Sequence, residues 1–282
     1  MKVSFLVTYY NQAQYVKRSI ESILNIQKNF DWEILVGDDG SSDNTVDIVN
    51  NYISSYPDKI QLYIMPREKD TKYKSIQRAS LNRLNLIKHC NGDYFCIIDG
   101  DDYYCNSEFI IKALDIFNKK KCVSVVAFNY QMIYQDGSIV KKIIGHKNNK
   151  VIKTSKYLRH FYTHSGACVY LNIFKNNVDA LLRLKKIGYF DDNDIVINSL
   201  NYGKLFYLDD VIYSYEQTGD SLWTSIGKIE QHIFNLIAYD IDLLIAPLLK
   251  KDLFYRYFFA IFNVWYFKNK LNKMIELKKI NN

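Results

Sequence analysis

Within its first 102 residues the chain three times runs through a short apolar stretch and stops abruptly at polar side chains. Val3-Ser4-Phe5-Leu6-Val7 gives way to Thr8-Tyr9-Tyr10-Asn11. Trp32-Glu33-Ile34-Leu35-Val36 gives way to Gly37-Asp38-Asp39-Gly40-Ser41-Ser42-Asp43-Asn44-Thr45. Tyr94-Phe95-Cys96-Ile97-Ile98 ends at Asp99-Gly100-Asp101-Asp102. Such runs, short, aromatic and β-branched, and bounded by Gly, Asn and Asp, read as buried strands. Residues 60–65 form a further strand, stopped by Pro66. Helical stripes lie between the strands. Val16, Ile20, Ile23 and Gln27 recur at 4, 3, 4 spacing, and Val46, Val49, Ile53 and Tyr56 precede Pro57. A third helix is expected from about Ser75 to His89. Short strands alternating with helices predict βαβ units, an α/β fold and a mostly parallel sheet flanked by helices.

A parallel sheet brings all three polar loops to one edge. In open α/β sheets the ligand crevice lies outside the carboxyl ends of the strands. The first loop offers a hydroxyl and an aromatic ring able to stack on a base. The second offers carboxylates able to accept a base N–H. The third places Asp99, Asp101 and Asp102 at one strand end, where they repel one another unless a cation sits between them. A hard divalent ion, Mn²⁺ or Mg²⁺, suits oxygen ligands of this kind and keeps positions open for substrate phosphates. The competing reading is an acidic turn, because Asp and Gly are common turn residues.

The pattern changes after residue 105. Phe109, Ala113, Ile116 and Phe117 mark a helix, and residues 123–134 are strand-rich. Asp136-Gly137 is a two-residue hairpin turn. Residues 140–155, full of Lys and Asn, read as an exposed loop. Residues 157–163 and 173–184 read as helices, and residues 230–282 as a helical, aromatic and basic extension. GxxxxGK, GxGxxG and HExxH are all missing, so P-loop, dinucleotide and zincin readings lack their local signatures.

The 282 residues are 48% hydrophobic, enough for a real core. The net charge of +7 suits anionic partners such as sugar nucleotides, anionic lipid or nucleic acid. The 5 Cys, an odd number without CxxC spacing, argue for free thiols in a reducing compartment. Residues 1–7 are too short for a signal h-region. The longest greasy stretch, residues 253–267, is broken by Arg256 and Asn263 and falls short of the roughly 20 residues a spanning helix needs. A cytoplasmic location is expected, with the inner face of the membrane as a surface the chain can meet.

In order and spacing, the three strand-end loops resemble the family 2 glycosyltransferases of the GT-A fold. The resemblance is strong to about residue 110, weaker to about 225 and absent beyond. It implies a nucleotide-sugar-binding half over residues 1–105, an acceptor-binding half over 106–225 and a C-terminal helical extension over 226–282. It also implies transfer of a sugar, with inversion, from a nucleotide-diphosphate donor (a UDP-sugar foremost) to a hydroxyl of a glycan or lipid-linked acceptor. Surface polysaccharide or lipopolysaccharide biosynthesis is the setting it favours, with hexosyl or N-acetylhexosaminyl transfer as the reaction.

By the same resemblance Thr8 and Tyr10 line the nucleoside pocket, and Asp39, with Asp38, holds the base. Asp101 contacts the ribose or the metal, and Asp99 and Asp102 complete the metal set. Arg78, or a lysine of the 69–74 loop, offers a second cation to the pyrophosphate; the alternative for Arg78 is a solvated helix face. An inverting displacement needs a base opposite the leaving group. The register of residues 191–203 places Asp192 there, with Asp191 beside it; the alternative is helix N-capping. Asn198 stands where the family often has Arg. His164 falls where family members line the acceptor site, and Trp223 in the closing loop covers the site. Gln217 or Thr218 stands where many members carry a metal-reaching His.

The extension reads as a core-packing or dimerising helix pair, or as a surface helix on anionic lipid. Two other functions fit an Asp-rich sheet edge. A nucleotidyltransferase would carry a Gly-rich basic loop after the first strand, which Thr8–Asn11 is not. A non-catalytic sugar-nucleotide binder would tolerate loss of Asp192. Nucleic acid is argued against by the acidic loops.

Overall fold

Strand β1 (Lys2–Tyr9) is an interior strand, bonded to a parallel neighbour on each side, and is buried along almost its whole length. A computed structural model of the chain describes residues 1–67, 75–142, 149–160, 163–177 and 192–218, with short stretches between 246 and 269. After β1 come α1 (Ala13–Leu24), β2 (Asp31–Asp38), α2 (Thr45–Ser55), β3 (Ile60–Ile64), α3 (Ser75–His89) and β4 (Tyr94–Asp99). Then follow β5 (Tyr103–Tyr104), α4 (Phe109–Lys119), β6 (Val123–Tyr134), β7 (Ile139–Lys142), β8 (Lys150–Ile152) and α5 (Thr154–His160). The last are β9 (Cys168–Leu171), α6 (Asp192–Leu200) and β10 (Lys204–Gln217).

The described strands form one sheet in the order β3-β2-β1-β4-β9-β6-β10-β5, with β7 beside β6 and β8 beside β10. The expected parallel arrangement holds from β3 to β4. Beyond β4 the sheet is mixed: β9 runs antiparallel to both neighbours, while β10 runs parallel to β6. Thr8 is in register with Gly37 on one side and Asp99 on the other, and Tyr9 with Asp38. Three strands therefore end on nearly the same rung, and their polar loops leave the sheet together.

Side chains that alternate across a strand face opposite layers. Val3, Phe5, Val7 and Tyr9 join one core with Val16, Ile20 and Ile23 of α1, Val49 of α2 and Phe109, Ala113 and Phe117 of α4. Leu6 joins the other with Leu84 and Ile87 of α3 and Ile195, Val196 and Leu200 of α6. The result is a helix–sheet–helix sandwich, the packing that buries a parallel sheet on both faces.

Ser4 faces the second layer and is satisfied there. Its hydroxyl bonds Glu33 Oε1 at 2.5 Å and accepts the Gly92 amide at 2.9 Å, while Lys2 Nζ lies 2.5 Å from Glu33 Oε2. Gly92 must be glycine, because an added Cβ would crowd Ser4 Oγ and the Tyr94 carbonyl oxygen.

A hairpin turn at Asp136-Gly137 joins β6 to β7, but the expected two-residue turn is corrected: Tyr134 N donates to Ser138 O at 3.0 Å, so residues 135–137 form the loop, with Gly137 at φ 78°. The expected exposed loop over 140–155 is corrected: β7 reaches Lys142, β8 pairs with β10, and Ile152 is buried in the core. Among the described residues Ile152 is its one buried apolar side chain, too weak a pattern amid Lys and Asn to read as a strand. Of the expected helix over 173–184, residues Ile173–Asn176 form a single 3-10 turn; residues 178–184 lie outside the described residues. In the extension, Ala246, Leu249 and Leu253 join the core beside α6. Leu248, Phe254, Phe258, Phe262 and Trp265 are exposed. Among the described residues no helix is long and apolar enough to cross a membrane. All five cysteines are free thiols.

Candidate active site

The β1 and β2 exit loops are stitched together. The Asp39 amide donates to Tyr9 O at 2.9 Å, Ser42 N to Asn11 Oδ1 at 2.8 Å and Asn11 N to Ser41 Oγ at 2.9 Å. Gly40, at φ 72°, makes the turn. Asp38 closes that turn from inside, accepting the Ser41 amide at 2.8 Å and the Ser41 hydroxyl at 2.5 Å.

Asp39 instead meets two arginines. Arg78 Nε donates to Oδ1 at 2.6 Å, and Arg67 Nη2 donates to Oδ2 at 3.0 Å. Arg67 also donates from Nε to the Asp39 carbonyl at 3.0 Å and from Nη1 to Tyr10 Oη at 2.7 Å. Its guanidinium lies 3.7 Å from the centre of the Tyr10 ring. Arg78 is 7% exposed. The solvated-helix reading of Arg78 is therefore corrected: α3 turns it inward, where the Asp39 carboxylate compensates its buried charge.

The third loop holds its carboxylates differently. Asp99 takes Arg83 Nη2 at 2.8 and 3.1 Å and the Thr8 hydroxyl at 3.2 Å. Burial alone would raise the Asp99 pKa; the Arg83 guanidinium outweighs it, with smaller help from His164 and Thr8, and holds the group below the usual carboxylate range. Among the described residues no lysine or arginine pairs with the Asp101 carboxylate. Burial and the neighbouring Asp99 charge push it up to about 6. Asp102 is fully buried. It accepts the Tyr213 hydroxyl at 2.5 Å and the Glu216 amide at 2.8 Å. Burial, then the charges of Asp101 and Asp99, push it well above the usual range.

The loop is braced from outside by Arg18 of α1. Its Nη2 donates to the Asp101 carbonyl at 2.9 Å, its Nη1 lies 2.7 Å from Glu216 Oε1, and it covers the Tyr103 ring at 4.6 Å. Gly100 must be glycine, since a Cβ there would overlap the Tyr9 ring.

Among the described residues no three His, Cys, Asp or Glu side chains form a group able to hold a metal ion. The expected three-carboxylate cluster is thus not assembled: Asp102 is drawn inward by β10, and Asp99 is engaged by Arg83.

His164 is 6% exposed and sits at the mixed half of the edge. Its Nδ1 accepts the Gly166 amide at 3.2 Å, and its ring stacks on Tyr213 at 4.9 Å. It lies close enough to Asp99 to interact with it electrostatically, so it belongs to the same neighbourhood. Gly166 leaves room for Tyr213, whose ring an added Cβ would overlap. Asp192 is the first residue of α6; its side chain, like Asp191, Trp223 and the lysines of the 69–74 loop, lies outside the described residues. Asn198, on the same helix, is fully buried, and among the described residues neither of its amide atoms has a hydrogen-bond partner.

The sequence reading missed Arg67, Arg83, Arg18 and Tyr213. Arg67 follows Pro66 at the end of a strand, and Arg83 lies 5 residues beyond Arg78 on one helix, which was the only available signal. Arg18 and Tyr213 reach the site only through packing.

Solved structures share this architecture. The *S. aureus* TarS 1–349 structure in complex with UDP superposes with TM-score 0.62 at 18% identity, covering 86% of this chain and 66% of that one. The *Pyrobaculum calidifontis* mannosyltransferase PcManGT, in complex with GDP-Man and Mn²⁺, gives TM-score 0.51 at 15% identity, covering 91% and 69%. The fold is the GT-A fold of the glycosyltransferases.

The family model described as glycosyl transferase family 2 matches residues 4–179, more than half of the chain. The protein belongs to that family. Among curated relatives, the putative glycosyltransferase EpsE of *Bacillus subtilis* (strain 168) is 38% identical over 101 residues, 36% of this chain and 33% of EpsE. The hyaluronan synthase of *Pasteurella multocida* is 26% identical over 231 residues, 80% of this chain and 21% of the synthase. The dTDP-rhamnosyl transferase RfbG of *Shigella flexneri* is 26% identical over 220 residues, 76% and 66%. The chain thus spans about a third of EpsE and a fifth of the hyaluronan synthase.

Proposed function

We propose that this protein transfers a sugar, with inversion, from a nucleotide-diphosphate donor to a hydroxyl of a glycan or lipid-linked acceptor. The observation that carries the reading is the shared rung of Thr8, Gly37 and Asp99, which gathers the loops after β1, β2 and β4 at one sheet edge; on this reading the first two bind the base and the third serves the phosphates. Tyr10 and Thr8 line the nucleoside seat, and Asp39 accepts the base N–H. Asp38 and Arg78 fix Asp39 and its turn in place. A UDP-sugar is the donor of choice; TarS was solved with UDP and with UDP-GlcNAc.

Asp101 would hold a divalent ion, Mn²⁺ or Mg²⁺, joined by Asp99 once Arg83 yields that carboxylate. Asp101 is a crowded carboxyl pushed up to about 6 by burial and a like charge, the environment that a bound cation relieves. Such an ion supplies Lewis-acid neutralisation of the departing diphosphate. Asp102, expected as a further ligand, serves instead to pin the turn so that Asp101 is presented. Asp192, at the start of α6, is the base that takes the acceptor proton, with Asp191, His164 and Trp223 on the acceptor side. A nucleotidyltransferase is disfavoured by the family match and by the missing Gly-rich loop.

The exposed Phe254, Phe258, Phe262 and Trp265, close in sequence to Lys250, Lys251 and Lys268, suit contact with an anionic lipid surface or a second copy. A lipid-linked acceptor and an inner-face cytoplasmic location accord with the first.

The test is a thermal-shift screen of UDP-, GDP- and dTDP-sugars with and without Mn²⁺. A binder stabilises the folded state, so one nucleotide should raise Tm, and more so with the metal. Flat melting curves across the panel would remove the proposal.

A further inference from the structure

We infer that Arg67 sets the nucleotide affinity of this protein by occupying the seat of the base; the inference rests on the donor-site reading above. Arg67 does to Asp39 and Tyr10 what a base would do. Its planar guanidinium lies over the Tyr10 ring at 3.7 Å, and its edge N–H reaches Asp39 Oδ2 at 3.0 Å. Guanidinium groups stack on aromatic faces and offer rigid edge donors. A nucleobase recognised by the same two residues is also planar, also stacks and also donates from its edge. Two such planes cannot share one position, so a base that docks there displaces Arg67.

The two arginines on Asp39 are not equivalent. Arg78 is nearly sealed, its side chain 8% exposed, and holds Oδ1. The Arg67 side chain is 33% exposed and holds Oδ2. When Arg67 leaves, its charge enters water and Asp39 keeps Arg78, so no buried charge is stranded. Arg67 is therefore the exchangeable partner and Arg78 the fixed one.

Seat occupation has a thermodynamic signature. The apparent dissociation constant is the intrinsic one divided by the fraction of vacant seats. If Arg67 holds the seat about nine-tenths of the time, binding is weakened about tenfold. The factor is common to every ligand that uses the seat, because it belongs to the protein.

The experiment is calorimetric titration of the full chain with UDP, GDP, dTDP and uridine, for the parent, Arg67→Ala and Tyr10→Ala. The expected result is that Arg67→Ala tightens each ligand that binds by one common factor of about ten, uridine included. Unchanged or weaker binding by Arg67→Ala, or tightening of one nucleotide alone, would overturn the inference. In those cases a loss of UDP affinity in Tyr10→Ala would still leave the donor-site reading standing. If Tyr10→Ala binds as the parent does, or no ligand binds any of the three proteins, the donor-site reading fails and this inference with it.

Discussion

Tyr213 donates its phenolic hydrogen to Asp102 from a strand 111 residues further along the chain. The bond joins the acidic turn after β4 to β10, and the Glu216 amide completes it on the other carboxylate oxygen. Beside it, Tyr104 is paired with Tyr213 across the β5–β10 ladder. The acidic turn is therefore held by the far half of the molecule.

Removing that hydroxyl leaves a buried acceptor short of its donor. Tyr213→Phe should destabilise the fold by about 1–3 kcal/mol, the desolvation cost of an unsatisfied buried group. It should also weaken Mn²⁺-dependent nucleotide binding by loosening the turn. Urea denaturation and titration of the same preparation give both numbers. A variant as stable as the parent would show that Tyr213 does not hold the turn.

Gly100→Ala tests the same turn by steric means. The added methyl meets the Tyr9 ring, which is 1% exposed and held by Ser19 at 2.5 Å, so it cannot swing aside. A loss of about 1–3 kcal/mol is expected, the usual cost of overpacking. Gly137→Ala is the control: nothing lies within 4 Å, and only its φ of 78° resists a side chain, so it should cost less.

Asp101 carries a pH dependence of definite sign. Its folded pKa, about 6, lies above its ordinary 3.8. The folded state therefore keeps this proton where the unfolded chain has lost it. The associated stability is fully present below pH ~4 and is lost as pH rises through ~6. With chelator present, Asp101→Asn should gain on the parent between pH 4 and 7, by about 1–3 kcal/mol at pH 7. Parallel stability curves for the two proteins would count against the shift, and added Mn²⁺ should reverse the ranking.

Asp192→Asn should retain donor binding and lose transfer by at least about 10²-fold, the usual contribution of a general base. Single-turnover assays beside nucleotide titration separate the two effects. Transfer at the parental rate would remove Asp192 from the mechanism.

Asn198 carries two buried polar atoms that find no partner among the described residues. Asn198→Leu, close in shape, should raise stability by about 1 kcal/mol or more, because an unsatisfied buried group costs its desolvation. A fall in Tm would mean the amide is satisfied by something it recruits.

Local pattern was enough for the first part of the chain, up to the end of β4. Strands β1 to β4 and helices α1 to α3 are where hydrophobic period and turn residues place them, and α3 matches residue for residue. Each is a short element whose burial follows from its own period, so no distant contact is needed to define it. The polar loops were legible for the same reason: a parallel sheet sends every strand's carboxyl end to one edge.

Tertiary structure alone decided what those loops do with their side chains. From residue order, Asp99, Asp101 and Asp102 are three like carboxylates. In the fold Asp99 meets Arg83, Asp102 meets Tyr213, and Asp101 is left to the charge of its neighbour. Arg67 and Arg78 are both cations on the way to β4, yet one is sealed and the other exchangeable. Partnership and burial are properties of what packs across the space between elements. No period along the chain encodes them, so the sequence by itself determined where the edge would be, and packing determined how each charge on it is held.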